Sequence, residues 1–215
     1  LEEVRAFSTI NEGKDMNNLI KKFKKDNLYH VNHCILNAKD FKTPQTRTRL
    51  YIVGIRMDTL KQNKIFIEPK PTGKVQISKV FEKNLTNPKR LEAKIDFEGV
   101  SAMVNKHGKS FLYNPKNMCV SILGQTYLPE KNQCFLTVNS GISPAIMRKH
   151  ANKVYVYHLK RFLTVREVLR CFGFSESFKP HPNPLVAYKQ CGNTICVNCL
   201  VALLKSIREC STALD

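Results

Sequence analysis

Two arginines separated by one residue, Arg47 and Arg49, are side chains that could bind a planar ligand rich in hydrogen-bond acceptors. They follow the turn-forming Pro44 and precede the apolar run of residues 50–55, which is short and β-branched enough for a buried strand. Side chains alternate between faces in extended backbone, so both guanidinium groups are expected to project the same way. Two such groups suit phosphates or the edge of a base. A pair of solvated arginines on a loop is the alternative.

A second candidate site lies near the end of the chain, at Gly192, Asn193 and Thr194. Asn193 has the side chain of an N-cap residue, and a helical apolar stripe follows it, which predicts a long final helix that begins there. The stripe consists of Val197, Leu200, Val201 and Leu204. Free backbone amides at a helix N-terminus attract anions, and a carboxylate ligand fits that description. By itself the pattern could also mean only a capped helix.

Two cysteines, Cys196 and Cys199, have the spacing of a zinc-binding pair. No second cysteine pair and no histidines of matching spacing accompany them, so we interpret them as buried helix thiols and expect no metal. The eight cysteines of the chain are irregularly spaced, which is typical of reduced thiols in an intracellular protein.

Charge is the strongest compositional signal. The 215 residues carry a formal net charge of +18, and 42% of them are hydrophobic. The sequence pI is about 9.7. This balance indicates a polyanionic partner, with nucleic acid as the first expectation, and enough apolar residues for a real core. We expect no membrane segment, because no apolar run approaches the length of a span, and no secretion signal.

Periodicity predicts an α/β arrangement. An amphipathic helix is expected over Asp15–Asn27 and a strand over Tyr29–Leu36. The middle of the chain suggests an irregular, mostly β region, with strands at Lys74–Val80, Lys109–Tyr113 and Cys134–Val138. Thr164 followed by Glu167 forms a capping box, which predicts a short helix over Val165–Phe172. Pro180, Pro182 and Pro184 predict an extended linker before the final helix.

Three blocks of residues, in the same order along the chain, resemble the cytosine-5 DNA methyltransferase family. The first is Gln-x-Arg-x-Arg, with Gln45, Arg47 and Arg49 at its fixed positions. The second is Arg-x-Leu-Thr-x-Arg-Glu over residues 161–167, and the third is Tyr-Lys-Gln-x-Gly-Asn-Ser, present as residues 188–194 with threonine last. A Glu-Asn-Val block is matched by Glu2-Glu3-Val4, which departs from the family at its middle position.

The resemblance implies a role for each of these residues. Glu2 would hydrogen-bond or protonate the ring nitrogen of a flipped cytosine, and Arg49 would contact its carbonyl oxygen. Arg47 would support the cytosine pocket, and Gln45 would brace the loop. Gly192, Asn193 and Thr194 would contact the methionine end of S-adenosylmethionine, the methyl donor. Arg166 would be architectural rather than catalytic.

The implied fold class is α/β: the C-terminal part of a Rossmann-like S-adenosylmethionine-dependent methyltransferase sheet plus a smaller, mostly β target-recognition domain. Residues 1–57 would be catalytic, 58–160 the target-recognition domain, 161–179 a helix segment that organises it, and 180–215 a final helix that returns to the catalytic domain. The family's Thr-Leu or Thr-Ile pair has two degraded counterparts, Ser121-Ile122 and Ala145-Ile146, and the Gly-Ile-Ser-Pro setting favours the second.

In the family that this chain resembles, the nucleophilic cysteine lies in a Pro-Cys block, and a Gly-rich block forms the main contact with the cofactor. Here none of the eight cysteines follows a proline, and no Gly-rich cofactor loop is present. We therefore expect the C-terminal half of a DNA cytosine-5 methyltransferase, inactive without a chain or segment that carries the nucleophilic cysteine. Its partners would be duplex DNA and that other half, in the cytoplasm and nucleoid of a bacterium or the nucleus of a eukaryote. The alternatives are a non-catalytic basic DNA-binding relic and a tRNA cytosine methyltransferase.

Overall fold

A computed structural model describes residues 1–85, 118–123, 135–159 and 161–214. Its strands are β1 (Glu2–Val4), β2 (Tyr29–Asn37), β3 (Thr48–Arg56), β4 (Met118–Leu123), β5 (Phe135–Ser140), β6 (Val154–Val156) and β7 (Arg161–Phe162). Its described α-helices are α1 (Lys14–Lys24), α2 (Val165–Cys171), α3 (Pro184–Asn193) and α4 (Val197–Cys210). Short 3-10 helices include Ala38–Asp40 and Ile77–Val80. The expected strand Lys109–Tyr113 and residue Cys134 lie outside the described residues.

The first sheet has the order β1-β3-β2, and both of its strand pairs are antiparallel. The predicted strand over Tyr29–Leu36 is confirmed as β2, which pairs with β3 along its whole length. One face of the sheet packs on α1 through Met16, Val31, Leu50 and Ile52. The other face carries Cys34, Tyr51 and Val53 into the main core. Because its two faces contact different elements, this sheet forms a middle layer.

The second sheet has the order β5-β4-β6-β7 and is antiparallel throughout. The strand predicted at Cys134–Val138 is found as β5, which begins at Phe135. The strand predicted at Lys74–Val80 is wrong, because residues 77–80 form a 3-10 helix. Ile77 and Val80 stand three residues apart and are both buried, and the Ile77 amide donates to the carbonyl of Gly141. A helical turn brings both side chains to one face, as an extended strand would not.

The capping box at the start of α2 is confirmed. Thr164 accepts a hydrogen bond from the Glu167 amide, and the Glu167 carboxylate accepts from the Thr164 amide. The same carboxylate is fully buried and forms a two-pronged ion pair with Arg161, with distances of 2.6 and 2.7 Å. It also accepts from the Glu82 amide at 2.8 Å. Glu167 therefore ties α2 to β7 and to the segment that precedes residue 83.

The single final helix that was predicted is two helices, α3 and α4, and its start and buried face also differ from the prediction. α3 begins ten residues earlier than expected, at Pro184, with Asn183 as its N-cap, and Asn193 is its last residue. After the extended Thr194, α4 begins at Val197 with Cys196 as its N-cap. Its buried residues are Cys199, Leu203 and Cys210, whereas Val201 and Leu204 are exposed. The linker prediction was wrong at Pro184, since proline fits the first turn of a helix.

One described stretch, Pro184–Cys210, passes a membrane-span criterion by length and composition, contrary to the expectation that no run approaches that length. Length and composition are weak grounds for a membrane segment. The stretch is two helices with extended backbone between them, and Tyr188, Cys199 and Leu203 from it belong to the main core. It therefore does not show a membrane segment.

Candidate active site

The loop between β2 and β3 is held by Asn37, the last residue of β2. The side chain of Asn37 accepts hydrogen bonds from the amides of Lys39 and Arg47, and the Ala38 amide donates to the Arg47 carbonyl. On the far side, Thr46 donates from its amide to Ser143, and Ser143 donates to Pro44. This pairing joins the loop to residues 141–146, so the position of Arg47 depends on both segments.

Gln45 is fully buried and joins three parts of the chain. Its Nε2 donates to the carbonyl of Cys171 at 2.7 Å and lies 3.6 Å from the sulfur of Cys196. Its Oε1 accepts from the amide of Ile146 at 3.2 Å. The side-chain amide of Gln45 thus provides hydrogen-bond partners for the carbonyl at the end of α2 and for the amide of Ile146. Gln45 therefore links the loop between β2 and β3 to both of these segments.

The guanidinium of Arg47 is also buried, at 5% exposure. Nη1 donates to the carbonyl of Ile146 and Nη2 to the carbonyl of Thr194, each at 3.1 Å. The group lies over the ring of Phe172, 5.4 Å from its centroid, which is a cation–π distance. Its Nε has no hydrogen-bond partner within the described part of the chain. Arg47 is therefore fixed in place and does not point into solvent.

Arg49 and Arg47 converge on one carboxylate, that of Glu2. Glu2 Oε1 lies 3.6 Å from Arg49 Nε and 3.8 Å from Arg47 Nη2, and its side chain is 19% exposed. Both distances exceed a hydrogen bond, and Oε1 is buried without a hydrogen-bond partner among the described residues. Arg49 also donates from Nη1 to the carbonyl of Thr48 at 2.8 Å. The three side chains therefore keep hydrogen-bonding capacity that they do not use on one another.

Burial perturbs the pKa values of Glu2 and Arg49. It raises the pKa of the Glu2 carboxyl above its ordinary value, although Arg47 and Arg49 pull it down. Burial also lowers the pKa of Arg49, as does the charge of Arg47, while Glu2 opposes both effects. A raised carboxyl pKa favours a protonated Glu2, which could donate a hydrogen bond to a ring nitrogen.

The structure brings Thr194 to this site but arranges its neighbours differently from the prediction. Asn193 does not cap the final helix, so the expected free amides at a helix start are not at that residue. The α4 amide of Val197 donates to the carbonyl of Phe172. Asn193 is exposed and Thr194 half-buried, which leaves an amide and a hydroxyl side chain for a polar ligand.

Gly192 has a packing role that the sequence did not reveal. A Cβ at this position would lie 2.3 Å from the backbone nitrogen of Arg148 and 2.5 Å from the carbonyl carbon of Met147. Backbone atoms cannot yield as a flexible side chain can. Glycine is therefore required where α3 crosses the Met147–Arg148 segment, close to the carbonyl of Ile146 that binds Arg47.

Of the two degraded counterparts of the Thr-Leu pair, the structure places Ala145-Ile146 beside the arginines. Ile146 is fully buried, and its amide and carbonyl bind Gln45 and Arg47. Ser121-Ile122 lies in β4. The contributions of the Ile146 and Thr194 carbonyls were missed from the sequence, because backbone groups are common to every residue type.

Among the residues that the structure describes, no group of three or more histidine, cysteine, aspartate or glutamate side chains could hold a metal ion. Cys196 and Cys199 are both buried and not in a disulfide.

The fold around this site is shared with solved methyltransferases. The chain is similar to the Entamoeba histolytica methyltransferase EhMeth, with a TM-score of 0.58 and 16% identity over 97% of this chain and 61% of that one. It is also similar to a Spodoptera frugiperda DNMT2 mutant, with a TM-score of 0.61 and 14% identity over 96% of this chain and 65% of that one. At such identities the likeness shows the fold, which is that of the Rossmann-like methyltransferases.

The sequence comparison identifies the family: the chain belongs to the C-5 cytosine-specific DNA methylases, whose pattern matches residues 1–209. It is 27% identical over 213 residues to the type II methyltransferase M.SsoII of Shigella sonnei, covering 96% of this chain and 52% of that protein. It is 28% identical over 205 residues to M.HhaI of Haemophilus parahaemolyticus, covering 93% of this chain and 59% of that protein. The chain therefore spans little more than half the length of these relatives. The predicted family is confirmed.

Proposed function

We propose that this chain binds the target cytosine in a DNA cytosine-5 methyltransferase that transfers a methyl group from S-adenosylmethionine to carbon 5 of cytosine in duplex DNA. The observation that carries the proposal is the convergence of Arg47 and Arg49 on Glu2 at 3.8 and 3.6 Å. Glu2 Oε1 and Arg47 Nε are buried, and neither has a hydrogen-bond partner among the residues that the structure describes. A base inserted between these groups would satisfy polar atoms that the protein leaves unsatisfied.

The geometry supports the following roles. Glu2, with its raised pKa, donates to the ring nitrogen of the flipped cytosine and makes carbon 6 more electrophilic. Among the described residues, Arg49 donates one hydrogen bond, to the Thr48 carbonyl, and we assign its remaining donors to the carbonyl oxygen of the base. Arg47 already donates to two backbone carbonyls, so its role is to shape the pocket. Gln45 supports the pocket through its hydrogen bond to the Cys171 carbonyl.

A thiolate adds to carbon 6 of the base, and carbon 5 then accepts the methyl group. Loss of the proton from carbon 5 re-forms the 5,6 double bond, breaks the sulfur–carbon bond and releases the thiolate. S-Adenosylmethionine, when bound, supplies that methyl group as an electrophile on a sulfonium. Asn193 and Thr194 suit its amino-acid end through their side chains, with Gly192 keeping α3 close to the loop. None of the eight cysteines follows a proline, so we assign the nucleophile to a segment outside the 215 residues, on the same or another polypeptide.

The open edge of β1 is the place where we expect that segment to join. Among the described residues β1 pairs only with β3, so its other edge presents unpaired backbone groups. Val4 at that edge is 50% exposed.

In this proposal residues 1–57 and 180–215 complete the catalytic domain, residues 58–160 read the DNA, and residues 161–179 organise that region. The net charge of +18 suits a DNA partner. Such an enzyme works in the nucleoid of a bacterium or the nucleus of a eukaryote.

The test is to combine the chain with the polypeptide segment that carries the Pro-Cys and Gly-rich blocks, and to measure transfer of a labelled methyl group to duplex DNA. Arg49→Ala should abolish transfer. The matched control is Arg56→Ala, at the far end of the same strand, where the arginine is exposed and pairs with Asp58. Full activity in Arg49→Ala would refute the proposed role, and methylation of tRNA but not DNA would refute the proposed substrate.

A further inference from the structure

A β-turn with two basic residues follows the segment that holds Arg47. The amide of His150 donates a hydrogen bond of 2.9 Å to the carbonyl of Met147, so Arg148 and Lys149 are the two central residues of the turn. Both are exposed, and neither side chain has an ion-pair partner among the residues that the structure describes. We call residues 147–150 the basic turn. The reaction proposed for this chain does not use its two cations.

The basic turn is fixed beside the candidate base pocket. Ile146, directly before it, is fully buried, and its carbonyl accepts the 3.1 Å hydrogen bond from Arg47 Nη1. Since two residues of chain span at most about 7 Å, the backbone of Arg148 lies within that distance of Ile146. The close crossing of Gly192 also restrains the backbone of Arg148. The two exposed cations are therefore held near the arginines of the pocket.

The chain around the basic turn carries positive charge and no carboxylate. Residues 131–166 include seven lysines and arginines but no aspartate or glutamate, although the whole chain has 17 acidic residues. Within the turn, burial lowers the pKa of His150, and the charges of Lys153 and Lys149 lower it further. The imidazole is thus mainly neutral at pH 7, and the exposed charge of the turn comes from Arg148 and Lys149.

A base pocket brings phosphates with it. A cytosine that leaves the duplex stays bonded to its sugar, so the phosphates on either side of that sugar approach the protein surface around the pocket. Each strand of duplex DNA carries one negative charge per about 3.4 Å of its axis. Arginine binds phosphate through its planar fork of donors, and lysine binds it as a compact charge. Arg148 and Lys149 have the chemistry and the position for such contacts.

We propose that Arg148 and Lys149 bind two successive phosphates of the DNA strand, those that flank the extruded cytosine. The location beside the cytosine rests on the proposed function, whereas phosphate binding by the turn does not. The competing anion is the carboxylate of S-adenosylmethionine, which would lie near Gly192. A single carboxylate would leave one of the two exposed cations without a partner, and two neighbouring phosphates would not.

The first experiment measures binding of the 215-residue chain to a fluorescent duplex by anisotropy at about 50 to 200 mM salt, without S-adenosylmethionine. The duplex contains one cytosine opposite an abasic site, because an unpaired base leaves the helix at little cost. Arg148→Gln and Lys149→Gln should each reduce the slope of log affinity against log salt by about 0.9. Each should also weaken binding about fivefold to tenfold at about 0.1 M salt. An unchanged slope in either variant would overturn the proposal.

The second experiment locates the phosphates. A methylphosphonate replaces one charged phosphate by a neutral group, either directly beside the unpaired cytosine or near the end of the duplex. The substitution beside the cytosine should weaken binding of the wild-type chain about fivefold to tenfold. It should have no further effect on a variant that combines Arg148→Gln with Lys149→Gln, because the contact is already lost. Equal effects on the wild type and this variant would overturn the assigned location.

Two variants provide the matched controls. Lys149→Arg keeps the charge and should retain the wild-type slope, whereas Lys21→Gln removes an exposed lysine from α1 and should also leave the slope unchanged. An equal loss in Lys21→Gln would show that only the total charge matters, and a loss seen only with added S-adenosylmethionine would assign the turn to the cofactor. Either result would overturn the proposal. A wild-type chain that does not prefer this duplex over a fully paired one would instead contradict the proposed function.

Discussion

The guanidinium of Arg47 donates a hydrogen bond of 3.1 Å to the carbonyl oxygen of Thr194, which lies 147 positions further along the chain. The sequence predicts the first residue in a base pocket and the second at a cofactor contact. Their direct bond joins the two candidate sites, so a change that moves the junction of α3 and α4 must also disturb the arginine.

Replacing Gly192 with alanine tests the close crossing of α3 over the Met147–Arg148 segment. The added Cβ would meet backbone atoms at 2.3–2.5 Å, so the free energy of unfolding should fall by about 1 to 3 kcal/mol in urea titrations. Gly54→Ala is the control, because its Cβ would lie 3.7 Å from Tyr29, an ordinary contact. Equal stability of the two variants would contradict the packing role.

Glu167→Gln tests the buried ion pair with Arg161. Removing one charge leaves the other buried and uncompensated, so unfolding free energy should fall by about 3 to 5 kcal/mol. The control is Glu176→Gln, which breaks the exposed ion pair with Arg170 and should change stability far less. A loss from Glu167→Gln no larger than the loss from the control would show that burial of this pair is unimportant.

Gln45→Leu removes a buried side chain that binds the Cys171 carbonyl and the Ile146 amide. Both groups would lose their partner inside the core, so stability should drop by about 1 to 3 kcal/mol. Gln62 is exposed, and Gln62→Leu should stay within about 0.5 kcal/mol of the wild type. The comparison uses thermal or urea unfolding, and a neutral result for Gln45→Leu would refute its role as a brace.

Glu2 gives stability a pH dependence. Burial raises the pKa of its carboxyl above the ordinary 4.5, so between those two values the folded chain binds more protons than the unfolded chain. The contribution of Glu2 to folding is therefore fully present below about pH 4.5 and is lost as the pH rises through the raised pKa.

Glu2→Gln does not titrate, so its unfolding free energy relative to the wild type should increase as the pH rises from 4.5. Urea titrations at several pH values between 4 and 8 measure the difference. A difference that is constant across this range, or that changes in the opposite direction, would show that the pKa of Glu2 is not raised.

Local patterns predicted the elements that local interactions determine. The capping box at Thr164 and Glu167 formed as expected, because both partners lie within one helical turn. The strand at Tyr29 and the apolar run after Arg49 also formed, since their β-branched residues favour extended backbone. The predictions failed where contacts between distant residues determine the backbone conformation. At Ile77, the hydrogen bond from its amide to the Gly141 carbonyl and the burial of Ile77 and Val80 on one face favour a 3-10 turn.

The sequence by itself determined which side chains gather at the candidate site, because Gln45, Arg47 and Arg49 lie within five residues of chain. Their order with the later blocks marks the family. Only the tertiary structure decided what holds them. Arg47 is bound by the carbonyls of Ile146 and Thr194, and carbonyl groups are identical in every residue. Likewise Gly192 is needed because another segment's backbone crosses it, and spatial proximity of this kind leaves no pattern in the chain.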